Sequence, residues 1–179
     1  MAPQEKIEND RLEIVQHLER GRAEFLASVA GLSEAQVALR PDPARWSVFD
    51  CVEHVTIVEE RFLGWLDNAK KLDEPRIDKE KEVGLLVRVA DRSTRAQAPE
   101  AVVPNGRFTT LAQALEQFNV NRTRSIQFAQ DHSDELYYLA AEHPRFGPVN
   151  GAELLMIITA HARRHAAQIQ EVRTALEKN

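Results

Sequence analysis

Cysteine is nearly absent from this sequence. The one thiol, Cys51, cannot close an internal disulfide, so the fold has to rest on packing. Glycine and proline are scarce, seven and eight in 179 residues, which excludes collagen-like and low-complexity chains. Long apolar runs are missing as well. Stretches such as 152–162 fall far short of the roughly 18 apolar residues that a membrane span requires. There is no excess of positive charge: 23 basic against 28 acidic residues leave a net charge of −5. Lysine and arginine are scattered, and even Arg163-Arg164 is only a pair. That pattern argues against DNA, RNA and anionic membrane surfaces as partners. Residues 1–8 contain Glu5 and no apolar h-region, so no secretory signal is read there. Together these absences predict a cytoplasmic protein.

What is present suits an ordinary globular chain, with 43% hydrophobic and 28% charged residues. The length predicts a single domain, 1–179, with a core able to hold itself without disulfide or metal. Four segments repeat apolar residues at the 3.6-residue period of an amphipathic helix. The first, 5–30, places Ile7, Ile14, Leu18, Phe25 and Val29 on one stripe, with Gly31 as a stop. The second opens at Ser47, with Asp50 completing a capping box and Trp46 as a staple toward Cys51, and fades near Lys71. Its stripe is Cys51, Val55, Val58, Phe62 and Leu66. The third, 110–131, turns Leu111, Leu115, Phe118, Ile126 and Ala129 inward. The fourth takes Asn150 as N-cap with Glu153 three residues on, and runs to about 177. No alternating strand pattern is readable. The prediction is an all-α four-helix bundle, with a long connection, 72–109, between the second and third helices. A short helix over 81–90 fits inside that connection.

Of six histidines, three fall on inward stripes. His161 and His165 are four apart on one helix and project from the same face. His54 lies on the inner side of the second helix. Side chains from facing helices meet in a bundle core, which is where bundle metal sites are built. Three imidazoles there suit zinc or nickel and leave positions open for water and substrate. Surface pairs and satisfied core pairs share the i, i+4 spacing. A zincin signature is excluded, because Ala162 stands where the glutamate base would follow the first histidine. Burial sharpens the reading, since an unpaired buried polar group costs about 1–3 kcal/mol and a metal satisfies two imidazoles at once. His17, His132 and His143 read as surface residues.

At three places the sequence resembles the DinB-like (DinB/YfiT) family. Trp46-Ser47 followed by His54 and Glu59-Glu60 resembles the family's second-helix motif. The segment from His143-Pro144 through Gly147 to Asn150-Gly151 resembles its lead into the last helix. His161 and His165, followed by Gln168-Ile169, match its closing His-x3-His…Gln-Ile pattern. The resemblance implies a four-helix bundle with a divalent metal held by His54, His161 and His165. It also implies a small-molecule substrate, with a low-molecular-weight thiol as co-substrate where relatives transfer such thiols to electrophiles. Other relatives resemble metal-dependent hydrolases. A non-catalytic metal-binding stress-response bundle is the remaining alternative, and a homodimer stays open. The DNA-damage-inducible name carries no implication of DNA binding.

Four further residues stand out. Cys51, one turn before His54, reads either as a fourth ligand or nucleophile or as a small buried hydrophobe. Asp50 and Glu53 are both candidates to orient an imidazole from behind, although Glu53 reads more simply as a solvated face residue. Arg122 sits inside an apolar stripe between Phe118 and Ile126. It must either pair internally, with an acid such as Asp50 or Glu60, or clamp the anionic group of a thiol or substrate.

Overall fold

The computed structural model describes residues 3–94, 97–133 and 135–177, with the side chains of 3–11 outside that description, Ile7 among them. Its helices are α1 (Pro3–Val29), the single-turn α2 (Glu34–Ala38), α3 (Val48–Asp67), α4 (Lys79–Ala90), α5 (Leu111–Asp131) and α6 (Gly151–Leu176). The four long ones form the bundle: α1 and α3 each pack against both α5 and α6. The short α4 covers a further side of α6. Because α6 is enclosed by α1, α3 and α4, residues 151–160 are buried on every face. A helix that is apolar all round is a buried one, which explains the run at 152–162. Among the described residues no helix is long and apolar enough to cross a membrane.

Helix starts are fixed by side chains. Ser47 Oγ accepts from the Asp50 amide at 3.0 Å while the Asp50 carboxylate accepts from the Ser47 amide at 2.8 Å. Asn150 and Glu153 form the same reciprocal box, at 2.7 and 3.0 Å, and Thr110 caps α5. Each such cap satisfies amides that no earlier turn can reach, typically worth about 1 kcal/mol. Gly151 follows its cap where a Cβ would stand 2.9 Å from the Leu136 carbonyl oxygen, so only glycine lets α6 begin against that turn.

The 72–109 connection contains α4, as the sequence predicts, and then a 3-10 turn, Glu100–Val102. Lys81 of α4 reaches Glu153 at 2.7 Å and so ties the connection to the start of α6. The helical bundle is as expected, with a small sheet beside it that the sequence did not display. The described residues hold three strands, β1 (Lys70–Lys71), β2 (Leu139–His143) and β3 (Gly147–Asn150), antiparallel in the order β1-β2-β3. Segments of two to five residues are too short to show alternation, and β1 finds its partner far along the chain, Lys70 opposite Ala140.

Candidate functional site

His54 projects from α3, and His161 and His165 from one face of α6, because these two helices pack directly on each other. Their ligand-capable nitrogens all lie within 4.8 Å of one another. His161 Nε2 is 3.2 Å from His54 Nε2 and 3.2 Å from His165 Nε2. His54 and His165 are buried and His161 is nearly so.

A protein-only hydrogen-bond network does not satisfy this group. His54 Nδ1 lies 2.7 Å from the Val102 carbonyl, which can only accept, so the His54 proton is on Nδ1 and Nε2 offers a lone pair. Burial lowers the pKa of all three imidazoles, and their neighbours' charges lower His161 and His165 further, so no extra proton serves the cluster. One proton on His161 Nε2 can point at only one of the two nitrogens facing it. His165 Nδ1 is buried with no protein partner. Three converging imidazole lone pairs fit a divalent cation.

The connection orients the site. Beside His54, Glu53 is almost fully buried, and its Oε1 accepts from the amides of Asn105, Gly106 and Arg107 at 2.7, 2.9 and 3.2 Å. That carboxylate fastens the loop whose preceding turn presents the Val102 carbonyl to His54. The sequence reading of Glu53 as a solvated face residue is therefore corrected. The reading of Asp50 as the group behind an imidazole is corrected too. Its carboxylate is taken by the Ser47 cap and by Arg40 at 3.0 Å, and the Val102 carbonyl holds that place instead.

The triad opens onto a cavity of about 810 Å³, a volume within the usual range for small-molecule sites. Trp46 forms one wall, its ring 4.8 Å from His54 and 6.2 Å from His165. Phe62, Trp65 and Phe146 form another around His143. His143 is buried in β2 and not on the surface, a further correction. Its Nδ1 accepts from the amides of Arg145 and Phe146 at 3.1 and 3.3 Å, which puts its proton on Nε2. Burial and the nearby Arg145 push its pKa down to about 4, so it lines the cavity as a neutral donor.

The sequence profile of the DinB superfamily matches residues 17–169, which includes all three histidines. The chain belongs to the DinB superfamily. An uncharacterized protein, YuaE of Bacillus subtilis, is 22% identical over 161 residues, covering 88% of this chain and 95% of that one. Among solved structures, YfiT from Bacillus subtilis superposes with a TM-score of 0.61 at 12% identity, over 99% of this chain and 90% of that one. It is described as a probable metal-dependent hydrolase with an unusual four-helix bundle topology, and the likeness establishes a shared bundle fold. TT2238, described as a four-helix bundle protein, matches at a TM-score of 0.47 with 17% identity, over 94% and 99% of the two chains.

In this DinB-like bundle Arg122 is no clamp over the cavity. It is fully buried, its Nε and Nη2 donating to the two oxygens of Glu59 at 2.8 and 3.0 Å and its Nη1 to the Leu18 carbonyl at 2.8 Å. The substrate-binding expectation is corrected to an internal ion pair, with Glu59 in place of the Asp50 or Glu60 foreseen. Cys51 is fully buried and outside the converging group, and burial with Asp50 beside it raises its thiol pKa to about 12. It behaves as a small apolar side chain. His17 and His132 stay away from the cavity: His17 lies 3.8 Å from Glu13, and His132 stacks on Phe128.

Proposed function

We propose that His54, His161 and His165 bind a divalent metal, zinc or nickel, and that this DinB-like protein is a metal-dependent enzyme acting on a small molecule in the adjoining cavity. The observation that carries the reading is the unmatched triad: three neutral imidazoles whose Nε2 atoms face one another at the floor of an open cavity. Three protein ligands leave a coordination position for solvent or substrate, the mark of a catalytic and not a structural site. Such a metal supplies Lewis acidity and favours the deprotonated form of a water or thiol that reaches it.

Transfer of a low-molecular-weight thiol to an electrophile is the reaction we favour. A cavity of about 810 Å³ is large enough to take a small thiol together with an electrophile. In that reaction a C–S bond forms as the leaving group departs with its electron pair, and the thiol proton passes to solvent. Hydrolysis is the second reading, supported by the description of YfiT. Protein residues do the remaining work in either case. Glu53 and Val102 hold His54, Trp46 keeps water off the ring faces, and His143 offers an N–H to a bound acceptor.

Metal content of the purified protein is the first test, expected near one zinc or nickel per chain and lost in His161→Ala. A thiol panel with monobromobimane, beside p-nitrophenyl acetate for hydrolysis, then separates the two reactions. Metal-free protein that still refuses zinc would end the proposal, as would retention of full metal binding by His161→Ala.

A further inference from the structure

Charge around the cavity is lopsided. Its lining includes five arginines, Arg45, Arg61, Arg92, Arg145 and Arg164, against a single acid, Glu171. That acid is already taken. Arg92 holds both its oxygens at 2.7 Å, with Arg45 at 3.9 Å. Among the described residues the other three arginines have no carboxylate partner. Arg61 and Arg145 lie over the rings of Trp65 and Phe146, at 5.6 and 5.5 Å. Arg164 is half-buried and, among the described residues, donates only to the Thr94 carbonyl, at 2.9 Å.

Arg164 and Arg145 come to the cavity from different elements. Arg164 sits on α6 beside His165 and three residues after His161, so an anion on its guanidinium is close to the triad. Arg145 belongs to the turn between β2 and β3, two residues after the buried His143. The guanidinium charges of Arg92 and Arg145 bear on Arg164, opposed in part by the carboxylates of Asp91 and Glu171. Arginine does not shed its proton to relieve such a field. Its remaining donors form a planar fork that matches the two oxygens of an oxyanion.

We infer that the cavity is built for an anionic ligand, whose carboxylate or phosphate is seated between Arg145 and Arg164 while its other end reaches toward the three histidines. The inference deepens the proposed function by giving its substrate or co-substrate a chemical class. It rests on that reading only for the direction of the ligand's far end. Neutral thiols and neutral esters are then poor ligands compared with acidic ones of similar size.

The test uses calorimetric titration of the full-length protein with succinate, inorganic phosphate and the neutral analogue succinamide, each against chelated and zinc-loaded samples. Succinate, phosphate or both are expected to bind the chelated protein, with succinamide failing, and the stronger oxyanion tells carboxylate from phosphate. Arg164→Gln and Arg145→Gln should each weaken that binding about ten- to a hundredfold while zinc stoichiometry holds. Arg145 is exposed in its turn, so its replacement leaves the core packing alone. Arg88→Gln, outside the cavity, should change nothing. Zinc binding without any oxyanion binding overturns this inference and leaves the metal reading standing. Oxyanion binding that depends on both arginines in a protein that rejects zinc does the reverse. Equal binding of succinamide, or unchanged affinity in both glutamine variants, also overturns it.

Discussion

Two buried polar clusters lie between the helices of this bundle, and they are built on opposite principles. Around Arg122 each guanidinium nitrogen and each Glu59 oxygen finds a partner: Glu59 from α3, the Leu18 carbonyl from α1 and, for Glu59 Oε1, the Ser125 hydroxyl at 2.9 Å. Arg122 and Glu59 expose 0% and 2% of their side chains, and neither lines the cavity beside the histidines. Around His161 two nitrogens compete for one proton, His165 Nδ1 has no partner, and a large cavity opens alongside. A closed polar cluster fixes how helices meet. An open one asks for something the chain does not supply. Residue type alone would have ranked them the other way, since an arginine in an apolar stripe looks more functional than a histidine.

Breaking the closed cluster should give the larger effect on stability. Glu59→Gln leaves the Arg122 guanidinium buried without a counter-charge, and removing one partner of a buried pair costs about 3–5 kcal/mol. Urea denaturation should show that loss, and the zinc affinity of the fraction that remains folded should hold. Loss of metal with unchanged stability would mean that the two clusters are one site.

Loosening the open cluster from behind comes next. In Glu53→Gln the side-chain carbonyl can still accept, but without charge, from the amides of residues 105–107. The turn that carries Val102 then holds His54 less firmly. Groups that orient a ligating histidine are worth about 10–100-fold in metal affinity. Competition with a chromogenic chelator would measure it. A variant whose zinc affinity matches wild type would show that Glu53 only secures the loop.

The helices and their caps were legible in the sequence because the information is local. Ser47 with Asp50 and Asn150 with Glu153 are three residues apart, and the stripes of α3 and α6 repeat within a few turns. The triad was legible for the same reason, once α3 and α6 were taken as neighbours. What escaped is non-local. Glu53 has its partners 52–54 residues further on, and Glu59 meets Arg122 across 63 residues, so neither carboxylate looks different from a solvated one. His143 escaped because its strand is only five residues long, though the hairpin glycine, Gly147 at φ +67°, marks the turn that buries it. The arginines of the cavity come from separate segments, and scattered charge hid a local excess.

Between the two clusters in expected effect stands the junction that sets α6 in place. Gly151→Ala puts a methyl group 2.9 Å from the Leu136 carbonyl oxygen, an atom of backbone that cannot swing aside. Overpacking of that kind costs about 1–3 kcal/mol. A thermal melt should show the loss. Zinc affinity should fall by less than in Glu53→Gln, because residue 151 starts the helix nearly three turns before His161.

The smallest effect is expected at Cys51, which sits one turn from His54 and tests where the open cluster ends. Its side chain is fully buried among apolar neighbours, and burial first, then Asp50, raises its thiol pKa to about 12. At pH 8 only about one molecule in ten thousand would carry the thiolate, the form that reacts or binds metal. Native protein should therefore be inert to a chromogenic disulfide reagent on the time scale in which the urea-unfolded chain reacts fully. Cys51→Ala should leave zinc affinity within about twofold, with a stability loss of about 1 kcal/mol from the small void left behind. A metal strips the proton from a thiol that coordinates it, so a ligand Cys51 would lower zinc affinity far more than that when replaced. Such a result would move Cys51 into the open cluster and make the site a four-ligand centre, which fits structural zinc better than catalysis.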